Sequence, residues 1–216
     1  MMDKDKFISF FKTFDNHTIK VARNTSLKMG PINRDLRTPP NANPIISSVL
    51  LLTWFEHNEL FITFIKRTED NGVHSGQIAF PGGRFDSIAG DIDTYDTAIR
   101  ETHEEIGIAP HAIKIIGKLS LLSVPVSKFL IHPFVGYIPH KPEFSLNKSE
   151  VEELISIKLA DILSQKHEHY RVETFDGEIE APCYIFDKHV IWGATSMMIA
   201  ELVAILKHYD FRREEH

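Results

Sequence analysis

The chain has 216 residues, 43% of them hydrophobic and 25% charged, the balance of one globular domain with an appendage. Its net charge of −6 argues against a general nucleic-acid binder, which carries a basic excess, but leaves room for a local basic pocket that holds a small phosphorylated molecule. The one cysteine, Cys183, excludes an internal disulfide and fits a reducing compartment.

In chain order, Met1-Met2-Asp3-Lys4-Asp5-Lys6 is followed by no long apolar stretch. The expectation is no secretory signal, no membrane span and a cytoplasmic protein. Residues 7–14 repeat apolar side chains at about helical spacing and predict a short amphipathic helix packed on the domain. Such a helix could also cross to a second copy in a homodimer. Residues 22–44 hold Gly30, Pro31, Pro39, Pro40 and Pro44 and read as an extended arm, with Lys28, Arg34 and Arg37 as solvated cations. The expected organisation is therefore an N-terminal helix and arm over 1–44 and the main domain over 45–216.

Residues 45–53 and 60–65 are β-rich runs around a polar turn and predict a hairpin. A short strand at 78–80 ends at Pro81-Gly82-Gly83. Asp93 or Thr94 can cap a helix that runs to about Ile106, with Gly107 just past its end. Strands are expected over 113–122, 129–137 and 151–158, a short helix over 159–165, and a late hairpin from 170–174 and 183–186. A final helix over 195–209 turns Met198, Leu202, Ile205 and Leu206 to the core. This order predicts an α/β fold: a mixed sheet with a long central helix and a long C-terminal helix on opposite faces.

The chemistry concentrates at Arg100-Glu101-Thr102-His103-Glu104-Glu105-Ile106-Gly107-Ile108. Glu101, Glu104 and Glu105 stand three and four apart, on one helical face. Like charges so placed repel by roughly 0.2–0.5 kcal/mol per pair on an exposed helix. A hard divalent cation supplies a reason to keep them, and Mg²⁺ takes one or two carboxylates, waters and substrate phosphates. At about 100° per residue, Tyr95, Ala98, Ile99, Thr102 and Ile106 face the sheet. The glutamates lie about 130° away, bordering the core without entering it. Arg100 can orient Glu104 from the i,i+4 position. Gly82 and Gly83 let backbone approach a metal or a phosphate.

This stretch resembles the Nudix hydrolases, which share Gly-x5-Glu-x7-Arg-Glu-apolar-x-Glu-Glu-x-Gly-apolar. The second half matches from Arg100 to Ile108, with Thr102 where an aliphatic residue is usual. In the first half Gly83 is three residues farther from Arg100 than in the family, and no glutamate intervenes; Asp91, or else Asp93, stands in its place. Upstream, Phe64-Ile65-Lys66-Arg67-Thr68 and His74-Ser75-Gly76-Gln77-Ile78-Ala79-Phe80-Pro81-Gly82-Gly83 resemble the coenzyme A pyrophosphatase branch. Ile191-Trp192-Gly193-Ala194-Thr195 is similar to the start of that branch's last helix.

The resemblance implies a Nudix-type α/β/α sandwich and an enzyme that hydrolyses phosphorus-containing anhydrides. Glu101, Glu104 and Glu105 would bind Mg²⁺ or Mn²⁺, with Arg100 in the catalytic set. The substrate would be coenzyme A or its thioesters, cut to 3′,5′-ADP and 4′-phosphopantetheine or its acyl form. The water's proton would go to Glu101, or to Glu150, Glu152 or Glu153 from a later loop. Arg67, Gln77, Gly82 and Gly83 are the candidate substrate contacts. Lys66 alternates away from Arg67 along the strand, and Gln77 could equally stabilise its own turn. No nucleic-acid or membrane partner is expected. The altered loop over 84–93 leaves ADP-ribose, a dinucleotide or a nucleoside triphosphate as other substrates. A non-hydrolysing sensor is the remaining alternative, though sensors usually lack helix glutamates. His167-Glu168-His169, His103 and Cys183 read as solvated or packing residues. Phe129 and Tyr137 read as core or interface rather than a base-stacking platform, Trp192 as packing for the last helix, and His74 as a residue of the active-site turn.

Overall fold

The computed structural model describes residues 4–13, 16–30, 43–69, 72–174 and 177–214. Two β-rich runs form its first hairpin. β1 (Ile45–Glu56) and β2 (Glu59–Arg67) pair from Thr53↔Ile62 to Glu56↔Glu59. The link is His57 and Asn58, both with positive φ, as a tight two-residue hairpin turn requires. Alternation along β1 sends Leu50, Leu52 and Trp54 to one side and Leu51 and Phe55 to the other.

β7 (Phe129–Ile138) runs parallel to β1 from Ile45↔Phe129 to Trp54↔Ile138, and every other pairing in this sheet is antiparallel. The mixed sheet has the order β3 (Ile78–Ala79), β2, β1, β7, β5 (Lys114–Lys118). β4 (Gly82–Arg84) adds to β1, β6 (Leu122–Val124) to β7 and β8 (Val151–Lys158) to β2. α3 (Thr94–Ile106) covers the Leu50, Leu52 and Trp54 face with Ala98, Ile99 and Ile106. α5 (Gly193–Glu214) covers the other with Leu202, Ile205 and Leu206, together with α1 (Lys4–Thr13) and α2 (Asn16–Leu27). The two long helices thus lie on opposite faces, as the sequence predicts. α4 (Leu159–Ser164) follows β8. β9 (Glu168–Thr174), β10 (Gly177–Phe186) and β11 (His189–Trp192) form a second, antiparallel sheet that leads into α5.

Several expectations are corrected. Residues 22–27 are helical rather than extended, because Ala22 and Ser26 are buried and the Gly30-Pro31 stop comes only after them. The rest of the arm, including Arg34 and Arg37, lies outside the described residues. The strand expected over 113–122 breaks into β5 and β6. A register shift between Ile115 and Gly117 disturbs its pairing, and the Ser120 N–H turns instead to the Glu201 carboxylate. Pro81-Gly82-Gly83 is not wholly turn, since β4 pairs with β1 from Ser47↔Arg84 to Val49↔Gly82. The late hairpin is a three-stranded sheet. α1 buries Phe7, Phe10 and Phe11 in its own domain, so its apolar face is already covered and gives no support to a homodimer. Among the described residues no helix is long and apolar enough to cross a membrane.

Candidate active site

α3 is fixed at both ends. Asp93 caps it, accepting from Tyr95 N and Asp96 N, and the Asp96 side chain accepts in return from Asp93 N. Gly107 closes it in the left-handed conformation with φ 76°. Asp91 is therefore the residue free to meet Arg100. Arg100 Nε and Nη2 donate to its two carboxylate oxygens at 2.9 and 3.0 Å, and Thr97 Oγ1 adds a bond of 2.8 Å. These bonds, led by the guanidinium, hold the Asp91 carboxyl down at about 2. The remaining face of Arg100 reaches Glu101 Oε1 at 2.9 Å and Glu104 Oε2 at 2.8 Å. One guanidinium thus joins the lengthened loop to two of the three helix glutamates.

Glu105 departs from the sequence reading. It enters the core rather than bordering it, at 1% exposure. The Gly82 N–H donates to its Oε2 at 2.9 Å, and Arg67 Nη1 lies 3.4 Å from Oε1. Burial pushes its carboxyl up to about 8, against the pull of Gly82 and Arg67, and Glu101 and Glu150 add repulsion. Burial also raises Glu101, opposed by Arg100. Tyr95, expected inward, is 40% exposed, with its ring edge-on to Phe134.

Glu101, Glu105 and Glu150 line one cavity of about 730 Å³, with Arg67, Gln77, Gly82 and Gly83. Glu104 is outside that lining, half exposed beside Arg100. Glu150 is positioned through α3 itself. Asn147 N donates to the Glu105 carbonyl, and Asn147 Nδ2 holds Glu150 Oε1 at 3.1 Å. Glu152 and Glu153 point elsewhere, paired with Lys66 and with Lys188 and His189. Gln77 is held by its own turn, with Nε2 on the Val73 carbonyl and Oε1 against His74.

A NUDIX domain model matches residues 46–177. The chain belongs to the Nudix hydrolase family. It is similar to the Nudix hydrolase NudL of Pectobacterium atrosepticum, with 29% identity over 172 residues that cover 77% of this chain and 88% of the relative. NudL of Yersinia enterocolitica is 32% identical over 139 residues, covering 63% and 69%. Among solved structures, the MutT/nudix family protein from Enterococcus faecalis aligns over 97% of this chain and 76% of that one, with TM-score 0.52 and 15% identity, a likeness of fold.

The donor set suits the divalent ions that Nudix hydrolases use. It consists of hard carboxylate oxygens, crowded and partly desolvated, whose mutual repulsion a cation would relieve. Among the described residues no three acidic, histidine or cysteine groups already converge on a metal-sized point. That is compatible with Mg²⁺, which completes its shell with water and phosphate. Several cavity residues went unnamed as site candidates in the sequence: Ser47, Arg84, Ser127 and Lys128. Phe129 also lines the cavity, facing His74 and Arg84, and is not plain core. No local motif marks these positions; long-range pairing of β4 and β7 with β1 brings their segments to one cavity.

A Cβ on Gly83 would overlap the Glu101 carboxylate, the far end of a flexible side chain. Gly83→Ala should therefore lower turnover about a hundredfold, the cost of roughly an ångström of misplacement. Unfolding in urea should shift by less than ~0.5 kcal/mol. Unchanged turnover would show that the position of Glu101 is unimportant.

Proposed function

We propose that this Nudix hydrolase cleaves the diphosphate bond of coenzyme A or its thioesters in the cytoplasm. The observation that carries the reading is one cavity that joins unlike walls. Its acidic lining is Glu101, Glu105 and Glu150, and its apolar lining includes Val124, Val126, Met197 and Met198. A diphosphate suits the first and a long, weakly polar pantetheine arm the second, with methionines adapting to variable shape. The turn 77–83, which carries the resemblance to coenzyme A pyrophosphatases, runs along the same cavity.

Glu101, Glu104 and Glu105 share one face of α3 and would hold Mg²⁺ or Mn²⁺. Bound there, the ion supplies neutralisation of the diphosphate and acidification of the attacking water. Water attacks one phosphorus, the bond to the bridging oxygen breaks, and that oxygen leaves on the other phosphate. The products are 3′,5′-ADP and 4′-phosphopantetheine. Glu150 accepts the water's proton. Glu101 is less suited, because its carboxylate is engaged by Arg100 and by the ion it would help to hold, whereas Glu150 is held by the neutral amide of Asn147. Arg67, about one-third exposed beside Glu105, meets a phosphate oxygen.

Incubation with coenzyme A, ADP-ribose and NADH at one Mg²⁺ or Mn²⁺ concentration tests the substrate, with products separated by chromatography. Coenzyme A should be cut fastest and yield 3′,5′-ADP; a faster rate on ADP-ribose would replace the substrate and keep the site. Glu150→Gln should lower kcat by about 10²–10⁴, the range for loss of a general base. Glu152→Gln should leave it near wild type. Equal effects of the two would move the base elsewhere.

A further inference from the structure

Besides the carboxylates, the cavity is lined by a second set of polar residues. Ser47 is 5% exposed, and among the described residues its Oγ has no hydrogen-bond partner; Ser127 Oγ is likewise buried and finds no partner among them. Both residues line the cavity. Buried hydroxyls without partners are uncommon in a finished interior, and two in one cavity need a reason.

The same set includes two cations. Strand register puts Arg84 and Ile131 on either side of Ser47, and residues in register share a face. Phe129 lies two positions before Ile131 on that face, and the Arg84 guanidinium sits 5.4 Å from its ring centroid. Ser127 and Lys128 belong to the turn that enters β7. That turn is tied to β1 by the bond from Ile45 N to the Lys128 carbonyl. Among the described residues neither Arg84 nor Lys128 has an acidic partner.

We infer that Ser47, Arg84, Ser127 and Lys128 form a second anion subsite, which takes a phosphomonoester of the substrate separate from the diphosphate under attack. Two hydroxyl donors and two cations suit the three terminal oxygens and the charge of such a group. The diphosphate is assigned to the carboxylates and Arg67, and alternation along β4 turns Arg84 to the side opposite the one on which Gly83 faces Glu101, which leaves these residues for a different phosphate. The inference rests on the coenzyme A reading, because that substrate carries a monoester on its ribose and ADP-ribose does not. The subsite would then select phosphorylated coenzyme A over its dephosphorylated form.

The experiment compares kcat/KM on coenzyme A and dephospho-coenzyme A. Wild type should prefer coenzyme A. Arg84→Gln and Lys128→Gly should each lower the rate on coenzyme A by about tenfold, as expected for a lost charge-assisted contact, and leave dephospho-coenzyme A within about twofold. Lys128 has φ 59°, which glycine adopts without strain, so the loss would not report misfolding. Equal losses on both substrates, or none on either, would overturn the subsite.

Calorimetric binding of 3′,5′-ADP and 5′-AMP separates this inference from the parent reading, because it needs no turnover. Wild type should bind 3′,5′-ADP about tenfold more tightly, and Arg84→Gln should erase the difference. Equal affinity in wild type would overturn the subsite. A tighter grip on 3′,5′-ADP in an enzyme that prefers to cut ADP-ribose would uphold the subsite and reject the coenzyme A reading.

Discussion

The buried carboxylate of Glu105 is the constraint around which this molecule is arranged. A carboxylate at 1% exposure is tolerated only with donors close by, and here they come from distant parts of the chain. The Gly82 N–H arrives on β4 and Arg67 at the end of β2, while the Glu105 carbonyl accepts from Asn147. Gly82 has φ 153°, and a Cβ there would collide with the Ser48 carbonyl. Glycine is what allows the backbone near enough to donate. The donors do not fully offset burial, since the carboxyl stays raised to about 8. A bound cation is the natural complement to such a group.

Arg100 does the corresponding work at the exposed end of the cluster. Its bonds to Asp91, Glu101 and Glu104 couple the loop before α3 to the helix. The loop is longer than in the family pattern, yet it returns to place: Asp91 N donates to the Asp86 carbonyl, and Asp86 N donates to the Asp91 carboxylate. The extra residues bulge outward, leaving Ile88 and Ile92 in solvent. Insertion there changes the surface and leaves the anchored geometry intact.

Much of this was legible in the sequence because it is local. The first hairpin, the Asp93 cap, the Gly107 stop and the glutamate face all follow from spacings of a few residues. Glu105 burial was not, because helical periodicity ranks faces of α3 but does not say that β4 and the 145–147 segment close over one of them. The choice among Glu150, Glu152 and Glu153 was equally hidden. It depends on partners such as Lys188 and His189, which arrive later in the chain. Arg84 and Phe129 carry no motif at all and meet only because β4 and β7 both flank β1. In the N-terminal arm, the prolines hid a helix whose inward residues, Ala22 and Ser26, are small.

The most direct test is Mn²⁺ binding to wild type and to Glu105→Gln, followed by calorimetry or electron paramagnetic resonance. Glutamine keeps the acceptor for Gly82 and removes a buried charge, so the variant should fold at least as stably as wild type. Its Mn²⁺ affinity should nonetheless fall by about tenfold or more. Equal affinity in the two proteins, or no Mn²⁺ binding by wild type, would contradict the assignment of this carboxylate cluster as the metal centre.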